Sequence, residues 1–195
     1  RNANQHWRVT QGTQAVAKAL GDQLGKRLLL EQPVSRIERI DGGFRVHGNT
    51  CDMEAERVII ALPPPLTQAI SFEPALPALR QQYMQRCPMG NTIKAHVRYS
   101  NRFWYERGYS GEAVSDGKPI SVVYDNTDPQ DLQPALVAFI VADSARKLGE
   151  LSDEDRQSEV LKGLQRLFGD AALECLDYTD HVWAKEPFSG GAPVS

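Results

Sequence analysis

The sequence predicts an α+β (mixed α/β) fold built on a mixed β-sheet, and three observations predict it. Asn91 to Tyr99 alternates polar and apolar residues strictly, as a half-buried strand does, with Ile93, Ala95, Val97 and Tyr99 on one face and Thr92, Lys94, His96 and Arg98 on the other. Ser152-Asp153-Glu154-Asp155 opens a helix with a capping residue and three acids at the positive end of its dipole. The elements run helix, many strands, helix, strand, long helix and strand, an order that calls for a mixed sheet.

In chain order, Thr13 is placed to cap a helix whose apolar positions Ala15, Val16, Ala19, Leu20 and Leu24 keep helical spacing up to Gly25. Arg27 to Leu30 reads as a short strand broken by Gln32-Pro33. Val34 to Ile40 follows as a second, turning through Asp41-Gly42-Gly43 into Phe44 to His47. Another short strand spans Cys51 to Glu54. The apolar run Arg57 to Leu62 suits a strand buried on both faces, ending at Pro63-Pro64-Pro65, where three prolines force the chain out of the sheet.

Pro74 to Pro77 leads into a helix reaching Arg86, and Pro88-Met89-Gly90 turns the chain into the Lys94 strand. Phe103-Trp104-Tyr105 and Gly108 to Gly111 form an aromatic, glycine-rich turn that reads as core filler. Ile120 to Tyr124 and Ala135 to Val141 read as strands joined by the turn-rich Asp125 to Pro129. The helix capped by Ser152 buries Val160, Leu161, Leu164, Leu167 and Phe168 and stops at Gly169; Asp177 to Trp183 is the last strand.

With 195 residues, 41% hydrophobic and 24% charged, the chain can bury a substantial core. A net charge of −3 without any basic block argues against nucleic acid as a partner. No apolar run is long enough to cross a bilayer. Cys51, Cys87 and Cys175 are odd in number and far apart, so reduced thiols in a cytoplasmic setting are expected. His6, His47, His96 and His181 lack metal-ligand spacing, so no metal site is expected, and no Gly-x-Ser-x-Gly elbow or phosphate-binding loop is present. The polar stripe of the Lys94 strand therefore either faces solvent or lines a polar cavity. Arg1-Asn2-Ala3-Asn4 at one end and Ala192-Pro193-Val194-Ser195 at the other read as cuts in a longer protein.

One ordered set of features remains. It comprises Glu31-Gln32-Pro33-Val34, Val58 to Pro64, Ile70 to Pro77, Gly90 ahead of Lys94, Phe103-Trp104, Gly108 and Gly111, Phe139 upstream of Ala145-Arg146-Lys147-Leu148, and Trp183, Glu186 and Ser189-Gly190-Gly191. In order and spacing the set resembles the flavin-containing amine oxidases, the monoamine and polyamine oxidase family, over essentially the whole chain.

The resemblance implies that residues 1–83 are the middle segment of an FAD-binding domain, 84–185 part of a substrate-binding domain holding the mixed sheet, and 186–195 the start of a last FAD-domain segment. It implies Lys94 as the lysine that holds a water against flavin N5, and Trp183 as the tryptophan beside the flavin ring. Val34 corresponds to a backbone contact to the adenosine side of FAD, Ala61 and Pro63 to a strand end beside the cofactor, and Gly190, Gly191 and Ala192 to the returning cofactor-binding segment. Phe139 and Tyr124 fall on the substrate-cavity wall. Ala192 stands where mammalian monoamine oxidases carry the cysteine bonded to the flavin, which implies non-covalent FAD. The family's reaction moves hydrogen equivalents from the amine-bearing carbon of a small-molecule amine to flavin N5. It gives an imine that hydrolyses, and oxygen becomes hydrogen peroxide. A chain without the pyrophosphate-binding loop is expected neither to retain FAD nor to turn over alone. A binding or scaffolding domain of the same fold, or another flavin oxidase acting on protoporphyrinogen, phytoene or amino acids, are the alternatives.

Overall fold

The computed structural model describes residues 9–116, 119–128 and 133–192. His6, Pro129 and the residues beyond Ala192 lie outside them. Two compact units emerge, one formed by Arg1–Ile59 with Ala69–Leu76, the other by Ile60–Gln68 with Pro77–Ser195.

In the first unit, α1 (Gln14–Leu24) ends at Gly25 as expected, but Thr13 adopts helical backbone angles and its side chain makes no capping bond. None of the helix's residues is buried. Strands β1 (Arg36–Ile40) and β2 (Gly43–His47) form the expected hairpin through Asp41-Gly42. β3 (Asp52–Ala55) extends it antiparallel, and the unforeseen β4 (Ser71–Glu73) adds on parallel to β1, giving the order β3-β2-β1-β4. His47 ties three of these strands together, its Nδ1 3.0 Å from Asp52 and its Nε2 3.5 Å from Glu38.

Two expected strands are absent. Arg27 to Leu30 is a turn of 3-10 helix followed by exposed irregular chain, and Arg57 to Leu62 is irregular, with Ile59 93% exposed. A continuous apolar run becomes a strand only where neighbours take up its backbone N–H and C=O groups. Among the described residues neither stretch is paired with a strand.

The first segment of the second unit, Ile60–Gln68, carries most of a 3-10 turn at Pro64–Ala69, where Thr67 Oγ1 donates to the Pro64 carbonyl at 2.6 Å. Helix α2 (Ala78–Arg86) leads to β5 (Thr92–Arg98), and α3 (Phe103–Glu106) puts Phe103 and Trp104 into the core, as the filler reading expects, whereas Tyr105 and Gly108 to Ser110 of the same stretch lie exposed. β6 (Ala113–Val114), β7 (Val122–Asp125), β8 (Ala135–Val141) and β9 (Asp177–Val182) complete an antiparallel sheet of order β6-β7-β8-β5-β9. α4 (Ala142–Gly149), not foreseen, follows β8 directly.

One face of this sheet is dry. Ile93, Ala95 and Val97 of β5, Leu136, Ala138 and Ile140 of β8, and Val123 of β7 have no solvent exposure and share a core with Val160, Leu164 and Phe168 of α5 (Asp153–Phe168). Ser152 caps α5 as expected, its Oγ accepting from the Asp155 N–H at 3.1 Å. At Gly163 the helix comes so close that a Cβ would stand 2.8 Å from Ile120 Cδ1.

An ion pair fastens α5 to the edge strand β9. Buried Arg156 grips Asp180 with two bonds, Nε to Oδ2 at 2.7 Å and Nη2 to Oδ1 at 3.0 Å, and Tyr178 donates its phenol proton to Asp180 Oδ2 at 2.7 Å. Removing one partner strands a buried charge. We expect Arg156→Ala to cost about 3–5 kcal/mol in urea unfolding, whereas Lys162→Ala, which breaks an exposed pair with Glu159, stays within about 0.5 kcal/mol.

Burial raises the phenol pKa of Tyr99, helped by Cys175, and burial with the Asp180 bond raises that of Tyr178, both above the ordinary value of 10. In the unfolded chain these phenols ionise from about pH 10, while the folded chain keeps their protons. Stability is therefore undiminished below that pH and falls as the pH climbs past it. Denaturation midpoints measured from about pH 9 to pH 11, on the order of one unit either side of that value, should fall less steeply for Tyr99→Phe/Tyr178→Phe than for the wild type.

Candidate functional site

Because β5 alternates, burying Ile93, Ala95 and Val97 sends Thr92, Lys94, His96 and Arg98 to the opposite face of the sheet. The neighbouring strands add their own outward residues in register. Lys94 stands between Phe139 on β8 and His181 on β9, and Phe139 in turn lies opposite Val122 on β7.

The contacts along this row are specific. Lys94 Nζ sits 5.6 Å from the centre of the Phe139 ring, a cation–π distance. Tyr124 meets Phe139 edge to face, centroids 6.1 Å apart. The His181 ring packs against Trp183 at 4.5 Å, and His181 Nε2 lies 3.2 Å from Glu186 Oε1. Lys94 is half-buried, and among the described residues no carboxylate is close enough to pair with it.

The root of β5 is tied to the end of the described chain. Gly90 and Ala192 exchange two backbone hydrogen bonds, Gly90 N to Ala192 O at 2.6 Å and Ala192 N to Gly90 O at 2.8 Å. Gly191 is buried with φ +141°, and a Cβ there would stand 2.5 Å from the Gly90 carbonyl oxygen and 2.8 Å from Met89 Cβ. No larger residue fits without moving backbone.

Of the residues expected at a site, Lys94, Phe139 and Tyr124 are therefore linked by contact on one sheet face, Trp183 is placed just past the end of β9, and Gly190, Gly191 and Ala192 are anchored beside Gly90. Ala61 and Pro63 do not end a strand: both are exposed, and the Pro63 carbonyl accepts from Leu66 N–H at 3.0 Å to open the 3-10 turn. Val34 is half-buried just before β1, in the first unit. His181 is the participant that spacing arguments missed. Its alternation within Asp177 to Val182 was visible, but which residue it would oppose depends on the pairing of β9 with β5.

The sequence profile described as flavin containing amine oxidoreductase matches residues 1–194. The chain belongs to this family. It is 40% identical over 195 residues to a Mycobacterium tuberculosis protein named as the flavin-containing monoamine oxidase AofH, an alignment covering 100% of this chain and 42% of that protein. Against human flavin-containing amine oxidase B the identity is 35% over 194 residues, 97% of this chain and 37% of the human one. The solved structure of wild-type putrescine oxidase bound to putrescine superposes with a TM-score of 0.89 at 35% identity, over 95% of this chain and 41% of that one. The chain thus spans about two fifths of the length of these relatives.

A flavin is the cofactor implied by membership of the flavin-containing amine oxidoreductases, and the donor set on the open face suits one. An ammonium without a carboxylate partner has protons to give to an acceptor-rich ring edge or to water held there. Flat aromatic groups stand on both sides of it in the strand register.

Gly191→Ala should lower stability by about 1–3 kcal/mol, because it adds backbone strain and a collision with Gly90. Ala192→Ser, which leaves both backbone bonds in place, should stay within about 0.5 kcal/mol. Chemical denaturation of the two variants in parallel checks both.

Proposed function

We propose that the chain is part of an FAD-dependent amine oxidase acting on a small-molecule amine. The observation that carries this reading is Lys94, a half-buried cation without a carboxylate partner among the described residues, set on the face of Phe139. Membership of the flavin-containing amine oxidoreductases supports it.

In this reading residues 1–83 and 186–195 serve the FAD-binding domain and 84–185 the substrate domain. Lys94 Nζ donates a hydrogen bond to a water at the cofactor's edge and holds it in place. Trp183 forms a flat wall there. Gly190 and Gly191 permit close approach of backbone, and Ala192, whose methyl group forms no thioether, leaves the FAD non-covalent. Val34 offers backbone to the adenosine side, with Ala61 and Pro63 alongside the cofactor. Phe139 and Tyr124 give the amine an apolar, aromatic wall, on which its carbon body can lie while water is excluded. When bound, the flavin supplies the electron acceptor for the hydrogen equivalents that leave the amine-bearing carbon.

The assignment of Lys94 is open to a direct test on the intact protein loaded with FAD. Stopped-flow absorbance separates reduction by amine from reoxidation by oxygen. Lys94→Met should slow the oxygen step by about a hundredfold, the scale seen when a single preorganised donor is lost, with amine binding largely retained. Equal rates in variant and wild type for both half-reactions would sink the role given to Lys94. Failure of the intact protein to take up flavin would sink the whole reading.

A further inference from the structure

His181 and Glu186 take no part in the roles assigned above, yet both meet Trp183, His181 through its ring and Glu186 through its backbone N–H. The His181 ring meets the indole edge to face, centroids 4.5 Å apart with 69° between planes, while its Nε2 is 3.2 Å from Glu186 Oε1. The imidazole is thus held at two points, through its own Cβ on β9 and through Nε2, which fixes its plane. Trp183 is 37% exposed, so its indole is only partly enclosed, and the His181 ring is an aromatic neighbour packed directly against it.

Glu186 is itself pinned by backbone. Its N–H donates to the Trp183 carbonyl at 3.2 Å, and its carbonyl accepts from Gly190 N–H at 2.7 Å and Ser189 N–H at 3.2 Å. Gly190 leads through Gly191 to Ala192, which bonds to Gly90 at the root of β5. Across β5, Lys94 stands opposite His181. One circuit of contacts therefore joins Lys94, His181, Glu186, the glycine pair and Gly90.

We propose that His181 and Glu186 are positioning residues, a clamp that sets the plane of the Trp183 indole and so the shape of the wall it forms beside Lys94. The inference rests on the reading of that face as the flavin-facing one. Neither residue touches a reacting atom. The carboxylate orients the imidazole, and the imidazole orients the indole, as an outer hydrogen-bonding partner fixes the ring of a functional histidine elsewhere.

The test reads Trp183 directly, without flavin, on the full chain. Its contribution to tryptophan emission is obtained by subtracting a Trp183→Phe variant, and its exposure is measured by acrylamide quenching. Glu186→Ala and His181→Phe should each raise quencher access by about 1.5- to 2-fold, the scale that loss of one exposed side-chain contact allows for an indole already 37% exposed. The double variant should be no more accessible than the larger single, because both substitutions cut the same link. Glu186→Gln, which keeps an oxygen acceptor for Nε2, should show less than half of the Glu186→Ala effect.

Unchanged quenching in Glu186→Ala, additive effects in the double variant, or Glu186→Gln behaving like Glu186→Ala would each overturn the clamp. Fully buried Trp104 serves as the control for global unfolding. Flavin uptake by the intact protein, read by absorbance, decides the cofactor reading separately, since the quenching measurement does not involve it.

Discussion

Strand β5 is held in one register by its dry face, and the open face inherits its order from that constraint. Ile93, Ala95 and Val97 lie against α5 with no exposure to solvent. A slip of one residue would drive Lys94 and His96 into that core and expose three apolar side chains. Burying an ammonium there without a partner costs several kcal/mol, so the alternative register is closed. Lys94 is placed on its face by the packing of residues that have no chemistry of their own.

The neighbours of Lys94 are set in the same way, one strand further out. β9 is an edge strand among the described residues, bonded to β5 on one side, and an edge strand is held less firmly than a central one. Arg156 counters this by reaching from α5 to Asp180 with a two-point grip, and Tyr178 closes the remaining lone pair of Asp180 Oδ2. Fixing Asp180 on the inner face fixes His181 on the outer one, because consecutive strand residues point in opposite directions. The ion pair on one side of the sheet thereby governs which ring stands beside Lys94 on the other.

Local rules recovered much of this. The alternation of Asn91 to Tyr99, the Ser152 cap and the Ala135 to Val141 strand were legible because each is decided by residues within a few positions of one another. Arg27 to Leu30 and Arg57 to Leu62 misled because an apolar run reports a preference for burial, and burial needs partners that a local pattern does not name. α4 was hidden by its composition: it starts at Ala142 without a capping side chain, and only Ser144, Ala145, Leu148 and Gly149 are buried, a short stripe beside exposed charged residues. At the candidate site, family resemblance pointed to Lys94, Phe139 and Trp183. The part played by His181 became visible only with the antiparallel pairing of β5 and β9, which matches residues about ninety positions apart.

Ala192 shows how backbone and side chain can carry separate duties at one position. Its N–H and C=O are both engaged by Gly90, so what the fold requires of residue 192 is its main chain. Gly191 is constrained in the opposite sense, because any side chain there collides with the Gly90 carbonyl. The tie that brings this segment to the base of the Lys94 strand is therefore independent of the residue 192 side chain. A thiol or a methyl group could occupy that position without altering the two bonds, so the order of the segment is set by its main chain and by the close approach at Gly191.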